Sequence, residues 1–186
     1  MMTPRFVVLL AATLAAVGLR LAPHPENFSP MTAIALFAGA NFASPGAAVV
    51  VPLAALFVSD VALHLTRFTA FPLTTWMIPV YGSYLMIVVI GRMLRRNRTP
   101  LNVACGALAG SLFFFFVTNF WVWAMGRMYP LTIYGLIDCF VAAVPFYRMS
   151  LAADALYTTV LFGGFAWAEQ RYAALAEPPP APVVPH

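Results

Sequence analysis

The sequence predicts an all-α fold, a polytopic membrane helical bundle of about six transmembrane helices plus a short re-entrant or interfacial half-helix. Hydrophobic residues make up 62% of the 186 residues, charged residues only 9%, and the mean hydropathy is +0.86. Soluble domains carry roughly 45–50% apolar and about 25% charged residues, so a core of this size cannot hide the surplus. A soluble enzyme, a secreted disulfide scaffold and a disordered chain are therefore excluded.

Seven apolar runs predict the helices in order. The first follows Arg5 and has signal-peptide features, but the rest of the chain is equally apolar, so we expect an uncleaved span. The sixth run has 16 residues, fewer than the roughly 20 of a spanning helix, which predicts the half-helix. The runs are Phe6–Leu21, Met31–Ala43, Gly46–Leu65, Thr74–Leu94, Leu101–Met125, Leu131–Phe146 and Met149–Trp167. We expect one membrane domain at 1–172 and a disordered, proline-rich tail at 173–186.

The basic residues predict the orientation in the membrane. All ten are arginines, and Arg92, Arg95, Arg96 and Arg98 flank a single loop, which is typical of a cytoplasmic face. Counting spans from this loop places the amino terminus inside and the 23–30 loop outside. A full crossing by Leu131–Phe146 would place Arg171 outside. A half-helix would place it inside, and we prefer that option because it leaves most arginines on one face.

Several function classes lack their sequence signals. Nucleic-acid binding is not expected, because no polar segment interleaves aromatic and basic residues. A phosphate-binding loop is missing, so any ATP dependence would come from a partner. The motifs of zinc proteases and serine hydrolases are also missing, so we do not expect an enzyme. Cys105 and Cys139 lie in apolar segments without metal-ligand spacing, and neither a metal nor a cofactor is expected.

Polar residues concentrate near the predicted outer ends of four helices, beneath the proline-framed 23–30 loop. Ionisable residues within spans are costly and usually face the protein interior. Aromatic walls with a few polar groups are typical of ligand cavities. The sequence therefore predicts an outward-facing cavity for a small molecule, with the loop as its lid. The predicted ligand-binding residues are Asn27, Asp60, His64, Tyr81, Asn119, Trp123, Tyr129, Asp154 and Tyr157.

Six of these residues also have a structural interpretation. Trp123 and Tyr129 could belong to an interfacial aromatic belt. Asp60 could pair with His64, which lies four residues away on the same helix face. Asn119 could join two helices through a hydrogen bond. Asp154 could pair with Arg148, six residues earlier in the chain.

Small residues on the first helix predict a partner-docking face. Ala11, Ala12, Ala15 and Ala16 form two interleaved Ala-x-x-x-Ala pairs on one stripe. Small residues four positions apart allow another helix to approach closely. A high alanine content alone would also produce this pattern.

Several segments resemble a family of small bacterial membrane transport proteins of unknown function. The resemblance covers most of the chain except the proline tail. The matching segments are 23–30 (PHPENFSP), 33–37 (AIALF), 112–123 with Thr118-Asn119-Phe120, 128–136, and 142–146 through Asp154, Tyr157 and Leu161-Phe162-Gly163.

More broadly, the small six-span body resembles the substrate-binding S components of energy-coupling-factor (ECF) transporters. This resemblance implies a multi-pass protein of the bacterial cytoplasmic (inner) membrane that takes up a vitamin or a vitamin precursor. It also implies that the alanine stripe docks to a transmembrane coupling subunit that works with ATPases. Solitary cobalamin-binding S components are an alternative, although Cys105 and Cys139 match their cobalt-binding cysteine poorly.

Two other functions compete with substrate binding. An intramembrane enzyme would use Asp60, His64 and Asp154 as acid–base groups. An assembly subunit of a larger membrane complex would need no ligand.

Overall fold

The computed structural model describes residues 3–67, 74–126 and 128–176, except for the side chain of Arg67, and within them it confirms the all-α class. The described chain forms α1 (Pro4–Leu21), α2 (Met31–Asn41), α3 (Pro45–Arg67), α4 (Met77–Leu94), α5 (Pro100–Met125), α6 (Ile133–Thr158) and α7 (Gly164–Arg171). A π-helical segment (Thr159–Gly163) joins α6 to α7, and a 3-10 turn (Ala173–Leu175) follows.

Five of these helices are long and apolar enough to cross a bilayer, so the protein is a multi-pass membrane protein. The starts of three helices are set by their sequence. The hydroxyl oxygens of Thr3, Thr99 and Thr132 accept hydrogen bonds from the backbone N–H groups of Phe6, Asn102 and Gly135. Such N-caps satisfy donors that have no partner within the helix. Proline at the first position of α1 and of α5 removes one further orphan donor.

Helix α2 lies at the centre of the bundle. It has 11 residues, all of them buried, and it contacts each of α1, α3, α4, α5 and α6. Apolar residues occur on every side of it, which is typical of a helix that is surrounded by other helices. At about 16 Å it is shorter than the roughly 30 Å hydrocarbon core, and the longer helices shield it from lipid.

Glycines bring α2 and α4 into backbone contact. A Cβ atom added to Gly39 would lie 2.2 Å from the Val88 carbonyl oxygen, and one added to Gly91 would lie 2.3 Å from that of Leu36. The two glycine Cα atoms face each other across the contact. Only glycine allows so close an approach, as at other membrane helix interfaces with small residues.

The separate half-helix expected at Leu131–Phe146 is not observed. This segment is the start of one continuous helix of 39 residues, Ile133–Arg171, which also contains the expected last span. Pro145 lies within the helix but does not end it, since neighbouring helices can compensate for one lost hydrogen bond in a membrane. At about 59 Å, the helix is roughly twice as long as the hydrocarbon core is thick.

The two ends of the bundle differ in charge. We call the end that holds Arg5, Arg92, Arg95, Arg98 and Glu169 the arginine end, and the opposite end, which holds the 22–30 connection, the loop end. Glu169 pairs with Arg5 from α1 and with Arg98 from the α4–α5 loop. The last helix therefore ends where α1 begins, which places Arg171 on the same side as Arg5 and Arg98, as preferred from the arginine count.

The ordered chain continues beyond Tyr172, where the disordered tail was expected to begin. Leu175 is buried, and its carbonyl oxygen accepts a hydrogen bond from Arg5. Residues 173–176 are thus part of the described structure, and the division at 172 stays a prediction. The proline-rich remainder, 177–186, lies outside the described residues, as does Arg127.

Candidate ligand cavity

A polar cavity of about 640 Å³ lies in the loop-end half of the bundle. All of α1 to α6 contribute to its walls, together with the 22–30 connection. The volume falls within the roughly 300–1,000 Å³ that is usual for small-molecule sites. The polar and aromatic wall residues are Arg20, His24, Asn27, Ser29, Thr32, Tyr84, Ser111, Phe114, Phe115, Thr118, Asn119, Phe146, Tyr147, Ser150 and Asp154.

Asp154 is a deeply buried acidic residue on these walls. Its side chain belongs to α6, and the residue is only 4% exposed. The hydroxyls of Thr32 and Ser111 interact with the carboxylate, but Oδ2 has no hydrogen-bond partner within the described chain. The Ser29 hydroxyl, on the same cavity, is likewise buried without a partner in the described chain, whereas the Tyr147 hydroxyl interacts with Ser111. Buried polar groups are nearly always hydrogen-bonded, so this cluster is an exception that needs a partner.

The 22–30 connection lines the cavity at the loop end and is attached to α6. The Ser150 hydroxyl donates to the Asn27 carbonyl oxygen at 3.3 Å, and the Phe28 ring packs against Tyr157 with centroids 5.7 Å apart. Asn27 has a φ of 60°, a left-handed conformation that asparagine tolerates better than most residues. The predicted lid is thus a structured turn held on the helix that carries Asp154.

Asp60 takes part in a neighbouring polar chain. Arg20 from α1 forms an ion pair with its carboxylate at 2.6 Å, and the Tyr81 hydroxyl donates to it at 2.8 Å. Arg20 also donates to the Ser59 hydroxyl. The charge of the Asp60 carboxylate is therefore compensated by Arg20, a residue that was not among those predicted. Of these four linked residues, only Arg20 lies on the cavity walls.

The other predicted site residues are not all brought together. Asn119 lies on the cavity wall, and its amide donates to the Phe115 carbonyl oxygen one turn earlier. Trp123, expected as a stacking wall, instead donates to the Pro130 carbonyl oxygen at 3.0 Å and is not on the cavity walls. His64 and Tyr129 are also not on these walls. Tyr157 lies beneath the lid, where it contacts Phe28.

Sequence reasoning missed several wall residues on α6. Ala143, Tyr147 and Ser150 were missed, although they recur at helical spacing on the same face as the predicted Asp154. That spacing was obscured because the segment was divided into a half-helix and a separate span at Tyr147–Arg148. Ser111 carried no signal, because it lies in an otherwise apolar run and only the fold brings it near Asp154.

Of the three acid–base groups considered from the sequence (Asp60, His64 and Asp154), the described cavity walls include only Asp154. Asp60 is held by Arg20 and Tyr81, whereas Asp154 lies on the cavity and has no arginine partner, Arg148 included, in the described chain. Neither Cys105 nor Cys139 lies on the cavity walls. Within the described ranges, no three His, Cys, Asp or Glu side chains are grouped to hold a metal ion. An unpaired carboxyl group among aromatic rings is a suitable environment for a cationic or hydrogen-bond-donating ligand.

The alanine stripe lies beside the last helix. Ala12, Ala15 and Ala16 line an apolar groove of about 330 Å³ that α1 forms with Tyr157 and the residues that follow it. Ala16 is buried at 5% exposure, whereas Ala11 and Ala15 are exposed. The stripe is therefore divided between internal packing and the outer surface of the bundle.

Comparison with known proteins identifies a family without assigning an activity. No curated protein and no solved structure matches the chain. The model of DUF6580, described as a family of unknown function, matches residues 1–177. This match covers nearly the whole chain, and the protein therefore belongs to the DUF6580 family.

Proposed function

We propose that the protein is an integral membrane substrate-binding subunit for the uptake of a small molecule, of the kind seen in S components. The observation that carries the proposal is the polar cavity, which is lined in part by the 22–30 connection and contains the buried, unpaired oxygen of Asp154. A bound ligand would supply the partner that this oxygen and the Ser29 hydroxyl lack in the described chain.

The chemistry of the cavity favours a ligand with a protonated amine or several donor groups. Asp154 forms no ion pair with the described residues, whereas Arg20 is paired with Asp60. The rings of Phe114, Phe115 and Tyr84 supply apolar and π surface for the rest of the ligand. Vitamins and vitamin precursors include molecules of this size and type, and this substrate class is part of the proposal.

The arginine end is the cytoplasmic end in this proposal. Arginine-rich loops of membrane proteins remain on that side, so the amino terminus would be cytoplasmic and the cavity would open outward. The membrane is then the bacterial inner membrane, as the resemblance to S components implies. Labelling single cysteines at positions 27 and 97 from outside intact cells, in a chain free of Cys105 and Cys139, tests this orientation; labelling at 97 alone would reverse it.

The exposed part of the alanine stripe is the proposed contact with a transmembrane coupling subunit. Ala15 is the suitable test position, because Ala16 is buried and its replacement would disturb the packing of α1. Ala15→Trp should abolish co-purification of the partner, whereas Leu14→Trp, at a neighbouring exposed position, should not. Equal recovery of the partner with both variants would remove this surface from the proposal.

The binding proposal is tested by the small molecules that the protein retains. Wild type, Ala143→Phe and Ala142→Phe are purified in a mild detergent, and their extracts are compared by mass spectrometry. Ala143 lies on the cavity wall, whereas the adjacent Ala142 is exposed and does not. We expect one small molecule to be retained by wild type and by Ala142→Phe and to be depleted at least ten-fold from Ala143→Phe. Equal retention by all three proteins, or no retained molecule in wild type, would contradict the proposal.

A further inference from the structure

Two adjoining depressions open at the arginine end of the bundle. The first, which we call the arginine pocket, has a volume of about 400 Å³ and is lined by the α4–α5 loop with Asn41 and Glu169. The second, the α5–α6 groove, has a volume of about 480 Å³ and lies between α5 and the last helix. Arg98, Phe162 and Ala166 border both depressions, so they form one continuous surface.

The α5–α6 groove has the length and polarity of a site for a lipid chain. Its walls are mainly small or apolar residues, including Ala104, Ala107 and Leu108, and Asp154, which also lines the polar cavity, lies on its wall. Ala104 and Leu108 are exposed at the surface of a membrane-spanning helix, so the groove opens toward lipid. Along the last helix it runs from Ala166 to Leu151, a distance of about 22 Å, compared with about 15 Å for half of the hydrocarbon core.

The arginine pocket has an excess of positive charge. Arg95, Arg96 and Arg98 line it, and Glu169 is the only carboxylate on its walls. Arg98 contacts Asn41 and Glu169, but a guanidinium has five N–H donors, so donors remain for a further acceptor. Burial is the main cause that lowers the pKa of Arg95, and the charges of Arg92, Arg5 and Arg98 lower it further.

We propose that the arginine pocket and the α5–α6 groove together bind one anionic phospholipid from the leaflet at the arginine end. The phosphate group accepts hydrogen bonds from Arg96 and Arg98, and one acyl chain lies in the groove against Ala104 and Ala107. Basic pockets between membrane helices are suited to anionic headgroups. A free phosphate ion would share the first contact but would leave the groove empty, and this difference separates the two ligands.

The test measures lipid retained by the purified full-length protein. Native mass spectrometry compares phosphatidylglycerol with phosphatidylcholine of the same chain length, for wild type, Arg96→Gln and Ala104→Phe. Arg171→Gln, also exposed at the arginine end but not on the pocket wall, and Ala109→Phe, on the exposed surface of α5 outside the groove, are the matched controls. Because Arg96 is exposed and Ala104 faces lipid, neither substitution should prevent folding.

We expect wild type and both controls to retain phosphatidylglycerol in preference to phosphatidylcholine. Arg96→Gln should weaken this retention about five-fold, in line with the contribution of one basic residue near an anionic lipid surface. Ala104→Phe should abolish the retention of both lipids. Equal retention of the two lipids by wild type would overturn the proposal, and so would undiminished retention in Ala104→Phe. Inorganic phosphate that binds equally to wild type, Ala109→Phe and Ala104→Phe, with no phosphatidylglycerol retained by wild type, would assign the pocket to free phosphate and would also overturn the proposal.

Discussion

Two acidic residues within the membrane-spanning helices have different environments. Asp60 is compensated by Arg20 and hydrogen-bonded by Tyr81, whereas Asp154 is buried with one oxygen unpaired in the described chain. A buried polar group without a hydrogen bond costs about 1–3 kcal/mol, and an isolated charge costs more. Asp60 is thus accounted for as a structural ion pair. One carboxyl oxygen of Asp154 still lacks a hydrogen-bond partner in the described chain, and the proposed ligand would supply it.

The left-handed conformation of Asn27 allows a prediction about the lid. Asn27→Gly should leave the lid intact, since glycine adopts a φ of 60° without strain. Asn27→Val should lower the apparent midpoint of thermal unfolding in detergent by roughly 2–8 °C, because a β-branched residue there is strained by about 1–2 kcal/mol. Equal midpoints for the two variants would show that the turn is not held in this conformation.

At the scale of elements, α2 connects the cavity at one of its ends with the arginine cluster at the other. Its first residues lie at the cavity, where Thr32 interacts with Asp154. At its other end, Arg92 and Arg95 donate to the Phe42 carbonyl oxygen, and Arg98 donates to the Asn41 side chain. Carbonyl groups at a helix C-terminus lack partners within the helix and attract cations. The arginines that predict the orientation therefore also cap the central helix.

The contact between Gly39 and Gly91 should make α2–α4 packing sensitive to a single methyl group. Gly91→Ala should destabilise the protein by about 1–3 kcal/mol, because the added Cβ would lie 2.3 Å from the Leu36 carbonyl oxygen and the backbones would have to separate. Unfolding in detergent, followed by circular dichroism, measures this loss.

Gly82→Ala is the matched control on the same helix. A Cβ added at Gly82 has nothing within 4 Å, so this variant should be neutral or slightly more stable. If Gly91→Ala unfolds at the same denaturant concentration as Gly82→Ala, the two helices do not pack as closely as described.

At the scale of the whole molecule, amino-acid composition was sufficient to predict the fold class but not the side-chain contacts of the candidate site. The apolar excess predicts a membrane bundle, because lipid is the only solvent for so many apolar side chains. The pairing of Arg20 with Asp60 could not be predicted, because it joins residues 40 positions apart on different helices. The continuity of Ile133–Arg171 was also missed, because Pro145 and the polar Tyr147–Arg148 pair mimic a helix end.

The two ends of the molecule have complementary chemistry. The loop end has a cavity with an unpaired carboxyl group, and the arginine end has an excess of positive charge. A π-helical segment follows Thr158 in the last helix, and several of its residues lie on the wall of the α5–α6 groove. Such segments frequently occur at functional sites in helices. Asp154 lines both the polar cavity and the α5–α6 groove, so the two proposed sites adjoin each other on this helix.

The central claim is that Asp154 makes a direct contact with a small-molecule ligand. The most direct measurement is the Kd of the retained small molecule for wild type, Asp154→Asn and Asp138→Asn, by titration of the purified proteins. Asp138 is the matched control, since it lies on the same helix but is exposed and not on the cavity walls. The account predicts at least ten-fold weaker binding by Asp154→Asn, the loss of about 1.4 kcal/mol, and unchanged binding by Asp138→Asn. Equal Kd values for wild type and a folded Asp154→Asn variant would contradict it.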